Sequence, residues 1–346
     1  MREVDFRSDT VTRPTPEMRR AMAEAEVGDD VFGDDPTVNR LQEMAADRLG
    51  KEAAMFVASG TMGNFVAALT HCGRGDEMIV GDRAHMFNSE GGGASALGGI
   101  AYHTVPNDER GMLDLDDVQA AVRPIDSHYA RTGMVALENT HNNCAGAVLT
   151  PEDTKAVADV AHRSEVPLHL DGARIFNAAV YLETPVAEFV KDADSVSFCL
   201  SKGLSGPIGS LLCGSNEFID RAHRWRKILG GGMRQVGIVA AAGIVALDTM
   251  VERLAEDHSN ARRLCRGLAR IPGISIDPDS NQTNLVFFDI VDGDPADLAR
   301  RLEERGIKGG RPIRRWRFVL HYGLTADDVD YALDVVETTF KERVPA

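Results

Sequence analysis

The chain has no excess of positive charge. Its 38 lysines and arginines face 53 aspartates and glutamates, a formal net charge of −15. That excludes a broad basic face for nucleic acid, although Arg311, Arg314, Arg315 and Arg317 form a local basic knot that needs a reason. Cysteine is scarce and unpatterned. The five residues, Cys72, Cys144, Cys199, Cys213 and Cys265, are odd in number and show no C-x-x-C spacing. This argues against a disulfide framework and a zinc site, and for reduced thiols in a cytoplasm; no metal is expected. No apolar run approaches the roughly 18 residues of a membrane span. The N-terminus, M-R-E-V-D-F-R-S-D-T, lacks the apolar core of a signal peptide. No membrane partner is expected, and no internal repeat or low-complexity tract is present.

What remains is the composition of an ordinary globular enzyme, with 346 residues, 43% hydrophobic and 26% charged. This length suits one large domain and a smaller one. Short apolar stretches alternate with helical ones: strands near 53–58, 78–80, 100–105, 134–137 and 166–171 are separated by amphipathic segments. Such alternation predicts an α/β fold, a mostly parallel sheet flanked by helices. Composition changes near Val251, and the remainder reads as a small C-terminal α+β domain. The expected spans are an N-terminal segment (1–15) that closes over the site, a large domain (16–250) and a small domain (251–346).

The organising stretch runs from Val166 to Leu204. V-P-L-H-L-D is a short strand ending on Asp171, and S-V-S-F-C-L is a second strand ending at Ser201-Lys202. In open α/β sheets, ligands bind in crevices beyond strand ends. Either residue alone is unremarkable, since an Asp there often caps a turn and a Lys is usually solvated. Together, an amine and a carboxylate suit pyridoxal phosphate, which needs a lysine for a Schiff base and an anion for its pyridinium nitrogen. Earlier, strand 53–58 runs into Ser59-Gly60-Thr61-Met62-Gly63-Asn64 and a helix, an arrangement that binds phosphate through backbone N–H groups and the helix dipole. No G-K-[ST] follows it, so it is not a Walker motif. The glycine-rich E-G-G-G-A-S-A-L-G-G (90–99) lacks a directly preceding strand and the glycine pattern of a dinucleotide site. His85 follows another strand end, and His128 lies in a polar connection. Arg317 stands among apolar strand residues, where a guanidinium is costly without an anion: a structural ion pair or a substrate carboxylate.

These pieces resemble the low-specificity threonine aldolase family of the aspartate-aminotransferase-like (fold type I) pyridoxal-phosphate superfamily. The likeness rests on F-R-S-D-T-V-T-R-P, V-G-D-D-V-F-G-D-D-P-T-V, S-G-T-M-G-N, L-E-N-T-H-N, H-L-D-G-A-R-I-F-N-A, L-S-K-G-L and G-G-G-M-R-Q-V-G, in family order across almost the whole chain. It implies retro-aldol cleavage of L-threonine or L-allo-threonine, and of related β-hydroxy-α-amino acids, to glycine and an aldehyde. The cofactor implied is pyridoxal 5'-phosphate. A β-eliminating lyase or an aminotransferase of the same superfamily is the alternative. By resemblance, Lys202 holds the cofactor, Asp171 pairs with its ring nitrogen, His85 stacks on the ring, Gly60 and Thr61 bind the phosphate and Arg174 sits beside the ring oxygen and the substrate. Arg234 reaches the phosphate of a neighbouring subunit, which implies a homodimer or homotetramer with interface sites. Ser8 and Arg317 hold the substrate carboxylate, and His128 lines the side of the substrate hydroxyl. His85 is the expected proton acceptor, through water, and His128 the tuner of diastereomer preference. Departures from the family pattern, R-P-I-R-R-W-R before Arg317 and Leu320 and Gly323 after it, leave Arg314 or Arg315 as alternatives for the carboxylate.

Overall fold

The computed structural model describes residues 2–342. Met1 and residues 343–346, the extremes of the expected terminal spans, lie outside them. Strand β1 (Val4–Asp5) opens the chain, followed by helices α1 (Pro16–Glu24) and α2 (Pro36–Leu49). Then come β2 (Ala53–Val57), α3 (Gly60–His71), β3 (Glu77–Gly81), the short α4 (His85–Asn88), β4 (Ala101–Val105), α5 (Leu115–Ala121), β5 (Thr132–Glu138), α6 (Pro151–Arg163) and β6 (Leu168–Asp171). After α7 (Ile175–Tyr181) and α8 (Val186–Val190) come β7 (Ser195–Cys199), β8 (Ser210–Gly214), α9 (Asn216–Ile228) and α10 (Gly237–Thr249). The chain finishes with α11 (Leu254–Leu268), β9 (Ile274–Ser275), β10 (Leu285–Ile290), α12 (Pro295–Glu304), β11 (Ile307–Lys308), β12 (Arg315–Val319) and α13 (Ala326–Lys341).

Local chemistry explains the helix starts. Thr15, Asp35, Ser59, Asp114, Thr150, Ser215 and Thr325 each accept backbone N–H groups as N-caps. Each satisfies donors that a helix cannot pair internally. Proline stands in the first turn of α1, α2 and α6, where its missing N–H costs nothing.

The central sheet has seven strands in the order β2-β8-β7-β6-β5-β3-β4. β8 is antiparallel to both neighbours and the other pairings are parallel. Six strands therefore point the same way, and the carboxyl ends of β2, β3, β5, β6 and β7 share one edge. The fold is α/β, with a mostly parallel sheet flanked by helices, as the alternation predicts. Its inner strands β3, β5, β6 and β7 are buried along their whole length, as expected of strands covered on both faces.

A second sheet, β12-β10-β9, is antiparallel and belongs to the C-terminal part. Its core includes Trp316, Phe318, Phe288 and Leu264, and also Val4 and Phe6 from the start of the chain. β1 pairs with β11, and the Phe6 ring stacks on Phe318 at 4.8 Å. The polar, proline-bearing N-terminal stretch is thus moored by two apolar residues to the C-terminal layer, and its next residues run toward the sheet edge. The arginine-bearing strand β12 is held by the same core.

Candidate active site

At the shared sheet edge lies a cavity of about 310 Å³. It is lined by Ser8, His85, Asp171, Arg174, Lys202 and Arg317, among others. The sequence elements converge because each side chain leaves the end of a different strand: His85 after β3, Asp171 at the end of β6, Lys202 after β7. β12 supplies Arg317 from the C-terminal layer, and the moored N-terminal stretch supplies Ser8 and Thr10.

Asp171 is 3% exposed. Its Oδ1 accepts the Ala173 N–H at 3.1 Å and its Oδ2 accepts Nδ2 of Asn64 at 2.8 Å. The same Asn64 nitrogen donates to Glu90 Oε1 at 2.9 Å. His85 Nδ1 lies 2.9 Å from that Glu90 oxygen, and the His85 backbone N–H donates to Glu138 Oε2 at 2.7 Å. The Glu90 hydrogen bond raises the His85 imidazole above its ordinary pKa against the opposing effect of burial, and the charge of Asp171 adds to the rise. With Nδ1 engaged, Nε2 is the ring atom left for other partners.

The two arginines differ in their partners. Arg174 donates to Asp9 through Nε at 2.7 Å and Nη2 at 2.8 Å, a bidentate pair. Burial alone would raise the Asp9 carboxyl, but Arg174 holds it well below the usual carboxylate range. Arg317 has no such partner. Its Nη1 donates to Asn142 Oδ1 at 2.9 Å and its Nη2 to the Arg7 carbonyl at 3.3 Å. Its Nε is buried without a hydrogen bond, and among the described residues no carboxylate pairs with it. Burial first, then the charge of Arg174, pushes its pKa down to about 10. Arg315 is instead paired with Asp289 at 2.6 Å, and Arg314 donates to the Ile290 carbonyl at 3.0 Å.

Gly60 and Thr61 form the first turn of α3, behind the Ser59 cap. A Cβ on residue 60 would lie 2.8 Å from Cys199 Sγ. Glycine lets the amino end of α3 press against the end of β7, just before Lys202. Gly60 and Thr61 are not among the residues lining this cavity, and neither, within the chain, are His128 and Arg234. His128 is an exposed side chain bonded to Asp126 Oδ1 at 2.7 Å. Arg234 is exposed and paired with Asp29 at 2.9 Å.

Several partners lie outside the expected set. Asp9 is a buried counter-ion, Asn64 and Glu90 hold the Asp171–His85 corner, and Asn142 bridges toward both arginines at 3.3 and 2.9 Å. The polar run after β5, E-N-T-H-N-N, was the sequence signal for Asn142. Asn64 had a weaker one, an amide in a helix built mostly of small and apolar residues.

Comparisons with known proteins identify the family and support the fold. The β-eliminating lyase family model matches residues 5–291. The chain is 48% identical over 342 residues to low-specificity L-threonine aldolase 1 of Arabidopsis thaliana, covering 96% of this chain and 95% of that protein. This chain belongs to the threonine aldolases of the β-eliminating lyase family. The low specificity L-threonine aldolase of Escherichia coli is 47% identical over 304 residues, 88% of this chain and 90% of that one. Among solved structures, a Leishmania major threonine aldolase superposes with a TM-score of 0.83 at 19% identity, covering 97% of this chain and 99% of that one. That last likeness speaks for the fold.

Proposed function

We propose that this lyase cleaves the Cα–Cβ bond of L-threonine, L-allo-threonine and related β-hydroxy-α-amino acids, giving glycine and an aldehyde such as acetaldehyde, with pyridoxal 5'-phosphate as cofactor. The observation that carries the reading is Arg317. A largely buried guanidinium with an unpaired Nε and no carboxylate partner among the described residues is a site waiting for an anion. It faces the same cavity as Lys202 and Asp171.

The donor set fits the cofactor. Lys202 offers an amine, Asp171 a buried carboxylate for a protonated ring nitrogen, His85 an imidazole for the ring face, and the α3 amino end with Gly60 and Thr61 offers phosphate donors. When bound, pyridoxal phosphate would supply the electron sink for the charge left at Cα. The protein's own work is placement and proton movement. Arg317 and Ser8 would hold the substrate carboxylate, with Arg174 beside it, fixed by Asp9. His85 Nε2 would take the β-hydroxyl proton, directly or through one water. Asn142, spanning both arginines, would keep their spacing.

His128 and Arg234 would act across a subunit boundary, His128 on the substrate hydroxyl and Arg234 on the phosphate. In support, Arg234 is tied to the 29–33 turn, where the Asp30 N–H donates to its carbonyl at 3.1 Å. Phe32 in that turn is 76% exposed, a large apolar surface that a homodimer or homotetramer would cover. We place the enzyme in the cytoplasm, because all five cysteines are free and buried. Among the described residues no helix is long and apolar enough to cross a membrane. The functional division we propose is the N-terminal segment, a large domain to residue 250 and a small domain beyond it.

The test is chiral product analysis with both threonine diastereomers. Glycine and acetaldehyde are expected from each. An elimination product or a transferred amino group, with no acetaldehyde, would overturn the reading.

A further inference from the structure

The interface between α3 and the sheet is unusually polar. Asn64 and His71 lie two turns apart on α3, facing β6 and β7. Under them, His169 and Asp171 share one face of β6, and Ser195 and Ser197 share one face of β7, in register as His169 with Ser195 and Asp171 with Ser197. His169, Ser195 and Ser197 are all at most 1% exposed. A Cβ on residue 63 would sit 3.3 Å from Ser197 Cβ, so glycine there brings the helix down onto these serines.

The hydrogen bonds run in one direction. Asn64 Nδ2 faces two carboxylates, Asp171 at 2.8 Å and Glu90 at 2.9 Å, and carboxylates accept. Asn64 Oδ1 must therefore be the acceptor on the other side. There it meets Ser197 Oγ at 2.6 Å and His169 Nε2 at 3.2 Å. For His169 to donate at Nε2 while neutral, its Nδ1 must be bare, and Nδ1 lies 2.9 Å from Ser195 Oγ. Burial keeps this imidazole neutral, its pKa pushed down to about 4. Ser195 then donates to His169 and accepts from His71 Nε2 at 2.8 Å. His71 opens on a separate cavity at the opposite sheet edge, beside Asp194 and Arg221. A neutral amide turns over at little cost in water. Here the donor side of Asn64 is chosen by what touches its oxygen.

We propose that His169 is a positioning residue for Asp171: its Nε2–H pins the Asn64 oxygen, so that Nδ2 and not the carbonyl faces the Asp171 carboxylate. The proposal rests on the reading that Asp171 meets the cofactor's ring nitrogen. It assigns His169 a single tautomer, Nε2–H, and makes the helix–sheet interface part of the cofactor site.

The experiment compares two ligands on the full-length protein: pyridoxal 5'-phosphate and its 1-deaza analogue, in which the ring nitrogen is a carbon. The ratio of their dissociation constants reports the Asp171 contact, while a general folding defect weakens both alike. His169→Leu should cut the preference for the nitrogen ring by about tenfold, the loss of one hydrogen bond to a charged group. His169→Gln, whose amide nitrogen takes the place of Nε2, should restore most of it. If His169→Leu keeps the ratio of the unaltered protein while Asp171→Asn collapses it, the proposal fails and the Asp171 reading stands. If Asp171→Asn also keeps the ratio, both fail. A second measurement needs no variant. Ring-15N NMR of the unaltered protein should show His169 protonated at Nε2 and bare at Nδ1, and the opposite tautomer would overturn the assignment.

Discussion

Asp9 and Arg174 stand 165 residues apart in sequence and form a bidentate ion pair from which solvent is excluded, 0% of the Asp9 side chain and 5% of the Arg174 side chain being accessible. The pair joins three parts of the molecule. Asp9 belongs to the moored N-terminal stretch, Arg174 follows the Asp171 strand, and Asn284 of the C-terminal part donates to the same Asp9 carboxylate at 3.2 Å. Removing one member leaves the other charge buried and unpaired, at a cost of roughly 3–5 kcal/mol. Asp9→Ala should lower the unfolding midpoint by a margin that Ser8→Ala does not approach. Calorimetry on both variants measures this; equal midpoints would show that Asp9 is dispensable.

Arg317→Leu should raise KM far more than it weakens cofactor binding. Arg317 lines the cavity and has an unpaired, buried Nε, whereas Arg315 is committed to Asp289 and Arg314 to a backbone carbonyl. Loss of one partner of a desolvated charge pair costs on the order of 2–5 kcal/mol, which is at least thirtyfold in kcat/KM. Arg315→Leu, by the same steady-state measurement, should stay within threefold of the unaltered enzyme.

Lys202→Ala should abolish turnover and the visible absorption of the lysine-linked cofactor. Cofactor held by the phosphate contacts alone can persist. A variant that keeps both the band and full activity would place the amine elsewhere.

His128→Phe should change the ratio of kcat/KM for the two threonine diastereomers. The side chain is 85% exposed and outside its own chain's cavity, so the effect requires a second copy. Mixed oligomers carrying Lys202→Ala in one copy and His128→Phe in the other should therefore show cross-complementation. Sedimentation of a fully active monomer would remove the basis for this expectation and for the role of Arg234 alike.

The strand ends were legible because hydrophobic alternation marks strands and polar residues mark where they stop. Lys202, Asp171 and His85 could be read that way, and capped helices such as α6 announced themselves through Thr150-Pro151. What was not legible depends on contacts between distant elements. Asn64 lies 107 residues from Asp171, and its two-sided bonding exists only once α3 has docked on β6 and β7. His169 reads as one polar residue between two leucines. The pairing of β1 with β11 joins short segments about 300 residues apart, with too little pattern in either to declare a partner. The mooring of the N-terminal stretch, and with it the place of Asp9, followed from that pairing.

The His85–Glu90 pair gives the enzyme a pH dependence whose sign can be worked out. Glu90 holds Nδ1 at 2.9 Å, and this bond is the main reason that the His85 pKa is raised, with burial opposing it and Asp171 adding to it. A base must be neutral to accept a proton, so activity should rise with pH through the elevated His85 value, above the ordinary value of about 6.5. Burial also raises the Glu90 carboxyl, which His85 and Asn64 counter. Glu90→Gln keeps the shape and removes the charge. The acid limb of kcat should then move to lower pH, because imidazolium loses its partner. The kcat plateau should fall by less than the roughly 10²–10⁴-fold that loss of the base itself costs, because the Gln amide oxygen can still accept from Nδ1 and orient the ring. His85→Asn should remove that limb altogether and lower kcat for both diastereomers. If Glu90→Gln leaves the limb in place while His85→Asn removes it, Glu90 orients nothing that matters to the proton. If the limb survives His85→Asn, the titrating base is another group, and the role of Nε2 falls with it.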